Sequence, residues 1–245
     1  LGFVLPELAR TARPGQFVMV RPSDKPIPLL RRPFSVHRLI IEQDKAVGVE
    51  LLYKVVGQGT RLLSQMKAGD VLDVLGPLGN GFSFPNTNSL NVFVVAGGVG
   101  IASLFYLSSL LATYPGVSQK AFLGGCAAAD ILCEKELRSL GVTVHVSTED
   151  CSLGEAGLVT TPLEKGLAAY GKPDVIYACG PQPMLKAVGE IALGCDVPCQ
   201  VSLESAMACG FGVCLGCAVK KASDESGYWH VCTDGPVFDF RDVKI

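Results

Sequence analysis

Four cysteines near the end of the chain have a spacing that suits a metal cluster. Cys209, Cys214 and Cys217 form a C-x4-C-x2-C run, and Cys232 follows 15 residues after the third. This is the plant-type spacing of the four thiolates that hold a 2Fe-2S cluster. A structural zinc site is the alternative, although zinc ribbons favour two equal C-x2-C pairs. The pattern favours an iron-sulfur cluster.

Glycines within the same run support this interpretation. A loop that wraps a cluster must turn tightly and point backbone amides at sulfur, and residues without a side chain allow both. The glycines concerned are Gly210, Gly212 and Gly216. The six other cysteines are scattered, and we expect most of them to be small buried hydrophobic residues. They are Cys126, Cys133, Cys151, Cys179, Cys195 and Cys199.

A second pattern is typical of a nucleotide-binding turn. The glycines of Gly97-Gly98-Val99-Gly100 directly follow an apolar strand and open a helix. There the backbone can approach a pyrophosphate, and the helix N-terminus favours its negative charge. The triplet Cys179-Gly180-Pro181 ends a later predicted strand at the same edge of the sheet. The alternative is that both are ordinary strand-to-helix turns.

A third pattern lies in the first third of the chain. Arg32-Pro33-Phe34-Ser35 places a phosphate-pairing guanidinium, a flat ring and a hydroxyl within four positions. Two further segments follow it, Leu52-Tyr53-Lys54 and Gly59-Thr60. Taken alone, the arginine could be a solvated surface residue and the phenylalanine part of the core.

The elements that must position these residues divide the chain into three parts. Residues 1–90 contain short β-rich runs, at 16–21, 47–56 and 71–75, between Gly and Pro turns and with little helical periodicity. They predict a small antiparallel barrel. Residues 91–203 alternate strands and helices, which predicts a parallel sheet with ligands outside the carboxyl ends of its strands. Residues 204–245 are rich in Gly and Cys, and we expect this tail to depend on something other than a hydrophobic core.

Composition restricts the class of protein. The 245 residues are 49% hydrophobic and 18% charged, with a net charge of −2. This balance excludes a disordered chain and the large basic surface of a nucleic-acid-binding protein. The opening residues carry charges and prolines where a signal peptide needs an apolar core, so we expect a cytoplasmic protein.

One long segment could be mistaken for a membrane span. Neither acidic nor basic residues occur between Asp73 and Lys120, and the run 92–112 is long enough to cross a bilayer. Its glycines would break a helix, so we predict a buried strand followed by a separate helix. The uncharged segment is expected to be covered by core, cofactor or a partner subunit.

Together, and in this order along the whole chain, the three patterns resemble the ferredoxin-NADP reductase superfamily. Within it, they are similar to the iron-sulfur electron-transfer subunits of two-subunit, NAD-dependent dihydroorotate dehydrogenases. The cysteine tail is the most specific feature of the resemblance. Two residues depart from the common pattern: Ser103 stands where many relatives have proline, and Phe34 where many have tyrosine.

The resemblance implies FAD, a 2Fe-2S cluster and NAD as cofactors and co-substrate. The flavin residues would be Arg32, Pro33, Phe34, Ser35, Leu52, Tyr53, Lys54, Gly59 and Thr60. The nicotinamide residues would be Gly97, Gly98, Gly100, Cys179, Gly180 and Pro181. The cluster ligands would be Cys209, Cys214, Cys217 and Cys232.

The resemblance also implies a path and a partner. Electrons would pass from an FMN in a separate dihydroorotate dehydrogenase catalytic subunit, through the cluster and FAD, to NAD in pyrimidine biosynthesis. Two copies of each subunit would form a heterotetramer, with no nucleic acid or membrane involved. We expect no catalytic base for dihydroorotate in this chain.

Two other functions stay open at this point. The chain could be a flavin and iron-sulfur subunit of a hydrogenase or of a ferredoxin-NADP reductase, or a zinc-containing binding module without a redox role. The carboxylates of Glu149 and Asp150, after the third strand of the predicted sheet, favour NAD over NADP because they would repel a 2′-phosphate.

Overall fold

The computed structural model describes residues 1–23, 25, 27–84, 89–224 and 226–245. The first part of the chain contains six strands and two short helices among the described residues. They are β1 (Gly2–Val4), α1 (Pro6–Thr11), β2 (Phe17–Arg21), β3 (Arg32–Ser35), β4 (Arg38–Glu42), β5 (Lys45–Glu50), α2 (Gln58–Ser64) and β6 (Asp73–Leu78).

These strands form two three-stranded antiparallel sheets, ordered β1-β5-β4 and β3-β2-β6. Their inner faces share one apolar core, which includes Val18, Val20, Val49 and Leu63. The predicted antiparallel barrel is confirmed, as two sheets around one core. The predicted strand at 47–56 ends at Glu50, because the residues that follow it line a cavity instead of joining the sheet.

The short helices were not expected from the weak helical periodicity of this part. Helix α1 has Pro6 in its first turn, Glu7 near its N-terminus and Arg10 in its last turn, which are ordinary helix signals. In α2, the Thr60 hydroxyl accepts a hydrogen bond from the Gly57 backbone amide at 3.1 Å. The Thr60 side chain therefore caps the N-terminus of this helix.

The second part is the predicted alternation of strands and helices. Its elements are β7 (Leu90–Gly97), α3 (Ile101–Leu111), β8 (Val117–Gly125), α4 (Glu134–Ser139), β9 (Thr143–Thr148), β10 (Glu155–Ala156), α5 (Thr160–Tyr170), β11 (Val175–Cys179), α6 (Gln182–Gly194) and β12 (Cys199–Ser202). The strands from β7 to β12 pair in parallel, in the order β10-β9-β8-β7-β11-β12.

Strand order reverses at β7, which lies between β8 and β11. In open α/β sheets the crevice for a ligand opens at such a reversal, outside the carboxyl ends of the strands. The uncharged run 92–112 is divided between buried β7 and α3, as predicted. Within the described part of the chain, none of the helices has the length and apolar character needed to cross a membrane.

Among its described residues, the tail adds four strands. They are β13 (Ala218–Lys221), β14 (Tyr228–His230), β15 (Val237–Asp239) and β16 (Val243–Lys244). Strand β15 pairs antiparallel with β12 and so becomes the edge of the seven-stranded sheet. The expectation that the tail lacks a hydrophobic core is wrong, because Val231, Phe238 and Val243 are buried in the same cluster as the sheet residues.

Candidate functional site

A cavity of about 890 Å³ opens at the carboxyl ends of the parallel strands. Its walls come from both halves of the fold. The loop after β5 contributes Leu52, Tyr53 and Lys54, and the loops after β7 and β11 contribute Gly97, Gly98, Gly100, Gly180 and Pro181. The structure therefore brings residues of two separate sequence patterns into one site.

The two glycine turns touch each other at the floor of this cavity. A Cβ atom on Gly100 would overlap the Cys179 backbone carbonyl, and one on Gly97 would come within 2.6 Å of the Met184 sulfur. Strands β7 and β11 are neighbours, with Ala96 opposite Cys179, so both turns leave the sheet at the same level. Close packing here requires residues without side chains.

Cys179 lies beneath the cavity, with only 3% of its surface exposed. Burial raises the pKa of its thiol to about 11, partly offset by hydrogen bonds with the Ser103 and Ser202 side chains. Cys179 is therefore a neutral thiol at neutral pH. Ser103, which replaces the common proline, has a defined place here, because its hydroxyl also donates to the Gly100 carbonyl at 3.3 Å.

Charged groups gather at the outer part of the cavity. The Lys54 ammonium lies 3.3 Å from the Asp130 carboxylate, and this pair joins the barrel to the parallel-sheet half. The hydrogen bond from Lys54 lowers the pKa of Asp130. Nearby, the Cys126 thiol donates to Glu149 at 3.4 Å, and that carboxylate raises the pKa of the thiol.

Of the two carboxylates predicted to select the nucleotide, Glu149 lines the cavity. Asp150 instead accepts hydrogen bonds from the backbone amide and hydroxyl of Ser152. Of these two carboxylates, Glu149 is therefore the one that can contact a ligand in the cavity. Sequence reasoning missed Cys126 and Asp130 as lining residues, although the two glycines that end β8 were a signal for another open strand end.

The predicted flavin motif forms β3, which pairs with β2, and all four of its residues are half-buried. The guanidinium of Arg32 lies beside the start of α2, since a Cβ on Gly59 would be 3.2 Å from its Nε atom. The Phe34 and Tyr53 rings lie 5.2 Å apart between centroids. Because Tyr53 also lines the cavity, the motif and the cavity are continuous.

The four tail cysteines lie in two pairs. The sulfur atoms of Cys217 and Cys232 are 3.3 Å apart in a buried position. The Cys214 backbone amide donates to the Cys209 sulfur at 3.4 Å, and the Cys214 side chain is exposed. Two pairs of thiols match the two irons of a 2Fe-2S cluster, each of which takes two protein ligands.

The local backbone favours a thiolate in this loop. Hydrogen bonds from the amides of Cys214, Phe211 and Val213 lower the pKa of Cys209 to about 6. Burial raises the pKa of Cys232 to about 11, with a further contribution from the adjacent Cys217 thiol. Among the described residues, no group of three or more His, Cys, Asp or Glu side chains lies close enough together to hold a single metal ion.

Comparison with known proteins gives three kinds of similarity. Residues 204–244 match the family model for the iron-sulfur cluster binding domain of dihydroorotate dehydrogenase B. The chain is 45% identical over 232 residues to the dihydroorotate dehydrogenase B (NAD(+)) electron transfer subunit of Caldanaerobacter subterraneus subsp. tengcongensis, covering 94% of this chain and 86% of that one. The subunit of the same name from Desulforamulus reducens is 40% identical over 237 residues, covering 96% and 88%.

A solved structure has a similar architecture over almost the whole chain. It is an NADH-dependent reduced ferredoxin-NADP oxidoreductase described in work on flavin-based electron bifurcation, with a TM-score of 0.85 and 32% identity, covering 99% of this chain and 83% of that one. The cytochrome b5 reductase domain of Ulva prolifera nitrate reductase shares the fold, with a TM-score of 0.61 and 18% identity, covering 76% and 82%.

Proposed function

Because the chain belongs to the family of dihydroorotate dehydrogenase B electron transfer subunits, we propose that it carries electrons from a catalytic partner, through a 2Fe-2S cluster and FAD, to NAD. One structural observation supports this most strongly. The chain places two pairs of cysteine thiols, the half-buried flavin motif and the nucleotide cavity in one continuous body. This is an oxidoreductase subunit.

The chemistry explains why three redox groups are needed. NAD accepts a hydride, which carries two electrons at once, whereas a 2Fe-2S cluster passes one electron at a time. FAD, when bound, stores both electrons between these steps. The chain's part is to bind and orient these groups and to keep the hydride path free of competing reactions.

Individual residues receive roles under this proposal. Arg32, beside Gly59 at the start of α2, pairs with the FAD pyrophosphate, and the rings of Phe34 and Tyr53 flank the isoalloxazine together with Pro33. Ser35 donates a hydrogen bond to the reactive ring nitrogen. The remaining proposed flavin residues are Leu52, Lys54 and Thr60.

A separate set of residues binds the nucleotide under this proposal. Gly97, Gly98 and Gly100 with Gly180 and Pro181 let the backbone approach NAD, and Cys179 supports the nicotinamide from beneath as a neutral thiol. Cys209, Cys214, Cys217 and Cys232 would hold the 2Fe-2S cluster, which passes electrons one at a time.

The partner surface surrounds the cluster loop. Phe211, Val213 and Leu215 are 53%, 72% and 59% exposed, and they flank the exposed ligand Cys214. Apolar side chains exposed this far mark a surface that another protein covers. We assign this face to an FMN-bearing catalytic subunit that oxidises dihydroorotate, because the cluster must lie near the next redox group. Two copies of each subunit complete a heterotetramer.

Under this proposal, the chain has three domains and acts in the cytoplasm. Residues 1–90 form the FAD-binding barrel, 91–203 the NAD-binding domain and 204–245 the cluster module, with β15 of the module completing the sheet of its neighbour. The protein acts in pyrimidine biosynthesis in the cytoplasm.

Reconstitution tests the function. The purified chain should be brown-yellow and should oxidise NADH with an artificial acceptor, yet it should not oxidise dihydroorotate. Addition of the FMN-bearing subunit should produce dihydroorotate-dependent NAD reduction. Dihydroorotate turnover by the chain alone would place the substrate site here and contradict the proposal. Co-purification with a ferredoxin-linked partner instead would favour the function named for the solved structure at 32% identity. Co-purification with a hydrogenase partner would favour the hydrogenase alternative.

A further inference from the structure

Two loops that carry proposed cluster ligands contact the barrel directly at two points, one after Cys209 and one after Cys232. We call them the first and the last cluster loop. At the first point, Gly210 follows the proposed ligand Cys209 and contacts the side chain of Met19. A Cβ atom on Gly210 would lie 2.5 Å from Met19 Cγ and 3.0 Å from its sulfur. Met19 is fully buried in β2 and pairs with Pro33 of the flavin motif. One buried thioether thus separates the first cluster loop from the flavin strand.

The second point lies at the end of β6. The Asn80 side-chain amide donates to the carbonyls of Thr233 and Asp234, at 2.9 and 3.0 Å. Its backbone amide donates to the Gly235 carbonyl at 2.6 Å. These three acceptors directly follow Cys232, the last proposed ligand. The barrel therefore contacts the chain next to both the first and the last proposed ligand, Cys209 and Cys232.

Two glycines allow the cluster loops to lie close to the barrel. Gly79 has a φ of +73°, and a Cβ there would lie 2.7 Å from the Gly235 carbonyl oxygen and from Pro236. Gly210 likewise has a φ of +84°, a conformation that favours glycine. Both glycines are needed for the loops to lie this close to the barrel.

We propose that Met19 and Asn80 are positioning residues that set the distance between the 2Fe-2S cluster and FAD. The inference rests on the proposed function. In the direction from NADH, the hydride would carry two electrons and one proton to FAD, the cluster would then take up one of these electrons, and the second electron would stay with the proton on the flavin. Only the step to the cluster depends on how the cluster loops rest on the barrel, because the hydride step occurs on the cavity side.

The test separates these two steps in the complete chain. Asn80 is exposed, so Asn80→Asp keeps the fold while replacing the donor to two carbonyls with a repelling oxygen. After rapid mixing with NADH, bleaching of the flavin should keep its wild-type rate. Bleaching of the cluster should slow severalfold, since the rate of electron tunnelling falls exponentially as the distance between the two redox groups grows. Amide hydrogen exchange at 233–235 should increase.

Asn91→Asp is the matched control. It makes the same chemical change at the start of β7, where the Asn91 side-chain oxygen accepts from Lys120 at 2.9 Å, far from both cluster loops. Both bleaching rates should match wild type. Gly210→Ala is a second test variant, because its new methyl group displaces the first loop from Met19. It should slow the same step as Asn80→Asp.

Three results would overturn the inference. The first is unchanged cluster bleaching in Asn80→Asp despite faster amide exchange at 233–235. The second is loss of the cluster itself, measured as iron and sulfide content, which would make Asn80 a residue for assembly rather than for distance. The third is equal slowing of the flavin step. If wild type itself shows neither flavin nor cluster bleaching, the proposed function fails instead.

Discussion

His37 joins the two halves of the fold through a buried hydrogen bond to the first turn of α3. Its Nδ1 atom donates to the Ala102 carbonyl at 3.3 Å, and its ring packs against Phe105 with centroids 4.8 Å apart. His37 lies two positions after the flavin motif, while Ala102 lies two positions after the glycine turn. The contact therefore ties the flavin strand to the nucleotide-binding helix.

This contact predicts a pH dependence of stability. Burial lowers the pKa of His37, and the charge of Arg38 lowers it further, although the Ala102 hydrogen bond, Glu50 and Glu136 oppose the shift. The unfolded state then binds the proton more readily, so the free energy of unfolding should fall as pH drops below about 6.5 and be retained above it. Chemical denaturation at pH 8 and 5.5 measures this difference.

His37→Asn provides the comparison, since its amide can still donate but does not titrate. The variant should lose less stability than wild type between the two pH values. Equal losses in both proteins would assign the pH dependence to other groups. His37→Ala should cost about 1–3 kcal/mol at pH 8, because it removes a buried ring together with its hydrogen bond to the Ala102 carbonyl.

Replacing the exposed cysteine tests the cluster ligands. Cys214→Ser should remove the iron-sulfur absorbance while bound FAD stays, because the ligand loop and the flavin motif lie on different elements. Reduction of FAD by NADH should persist, and electron transfer from the partner should collapse. Cys195→Ser, at a scattered cysteine, is the control. A full complement of iron and sulfide in Cys214→Ser would show that this ligand is assigned wrongly.

Glu149 should determine the choice of nucleotide. Its carboxylate lines the cavity, where it repels a 2′-phosphate and can accept from a ribose hydroxyl. Catalytic efficiency with NADH should exceed that with NADPH, and Glu149→Gln should reduce the preference. Asp150→Asn should leave it largely unchanged, because Asp150 bonds to Ser152. Wild-type efficiency with NADPH equal to that with NADH would contradict this role.

The contact between the glycine turns should not tolerate a methyl group. Gly100→Ala places a Cβ against the Cys179 carbonyl, and such overpacking typically costs about 1–3 kcal/mol. We expect a lower melting temperature and a higher KM for NADH. Gly194→Ala, in open space at the end of α6, should be neutral or stabilising by about 0.4–1 kcal/mol. Equal behaviour of the two variants would argue against the close contact.

The cofactor-binding motifs and their order along the chain could be predicted from the sequence because each motif is local. The C-x4-C-x2-C spacing, the glycine turn after an apolar strand and the Arg32–Ser35 segment are short patterns whose meaning depends on nearby residues. The alternation over residues 91–203 predicted the parallel sheet for the same reason. Family, fold class and cofactors all follow from such patterns and are confirmed.

Contacts between distant segments were decided by the tertiary structure alone. Residues 52–54 read as a strand but line the cavity, and the tail contributes β15 and buried Val231 to a core that its composition did not suggest. Pairing His37 with Ala102, or Asn80 with Thr233, depends on how separate elements pack. The amino-acid sequence carries no local signal for such pairs, because the two residues of each pair meet only when the chain folds.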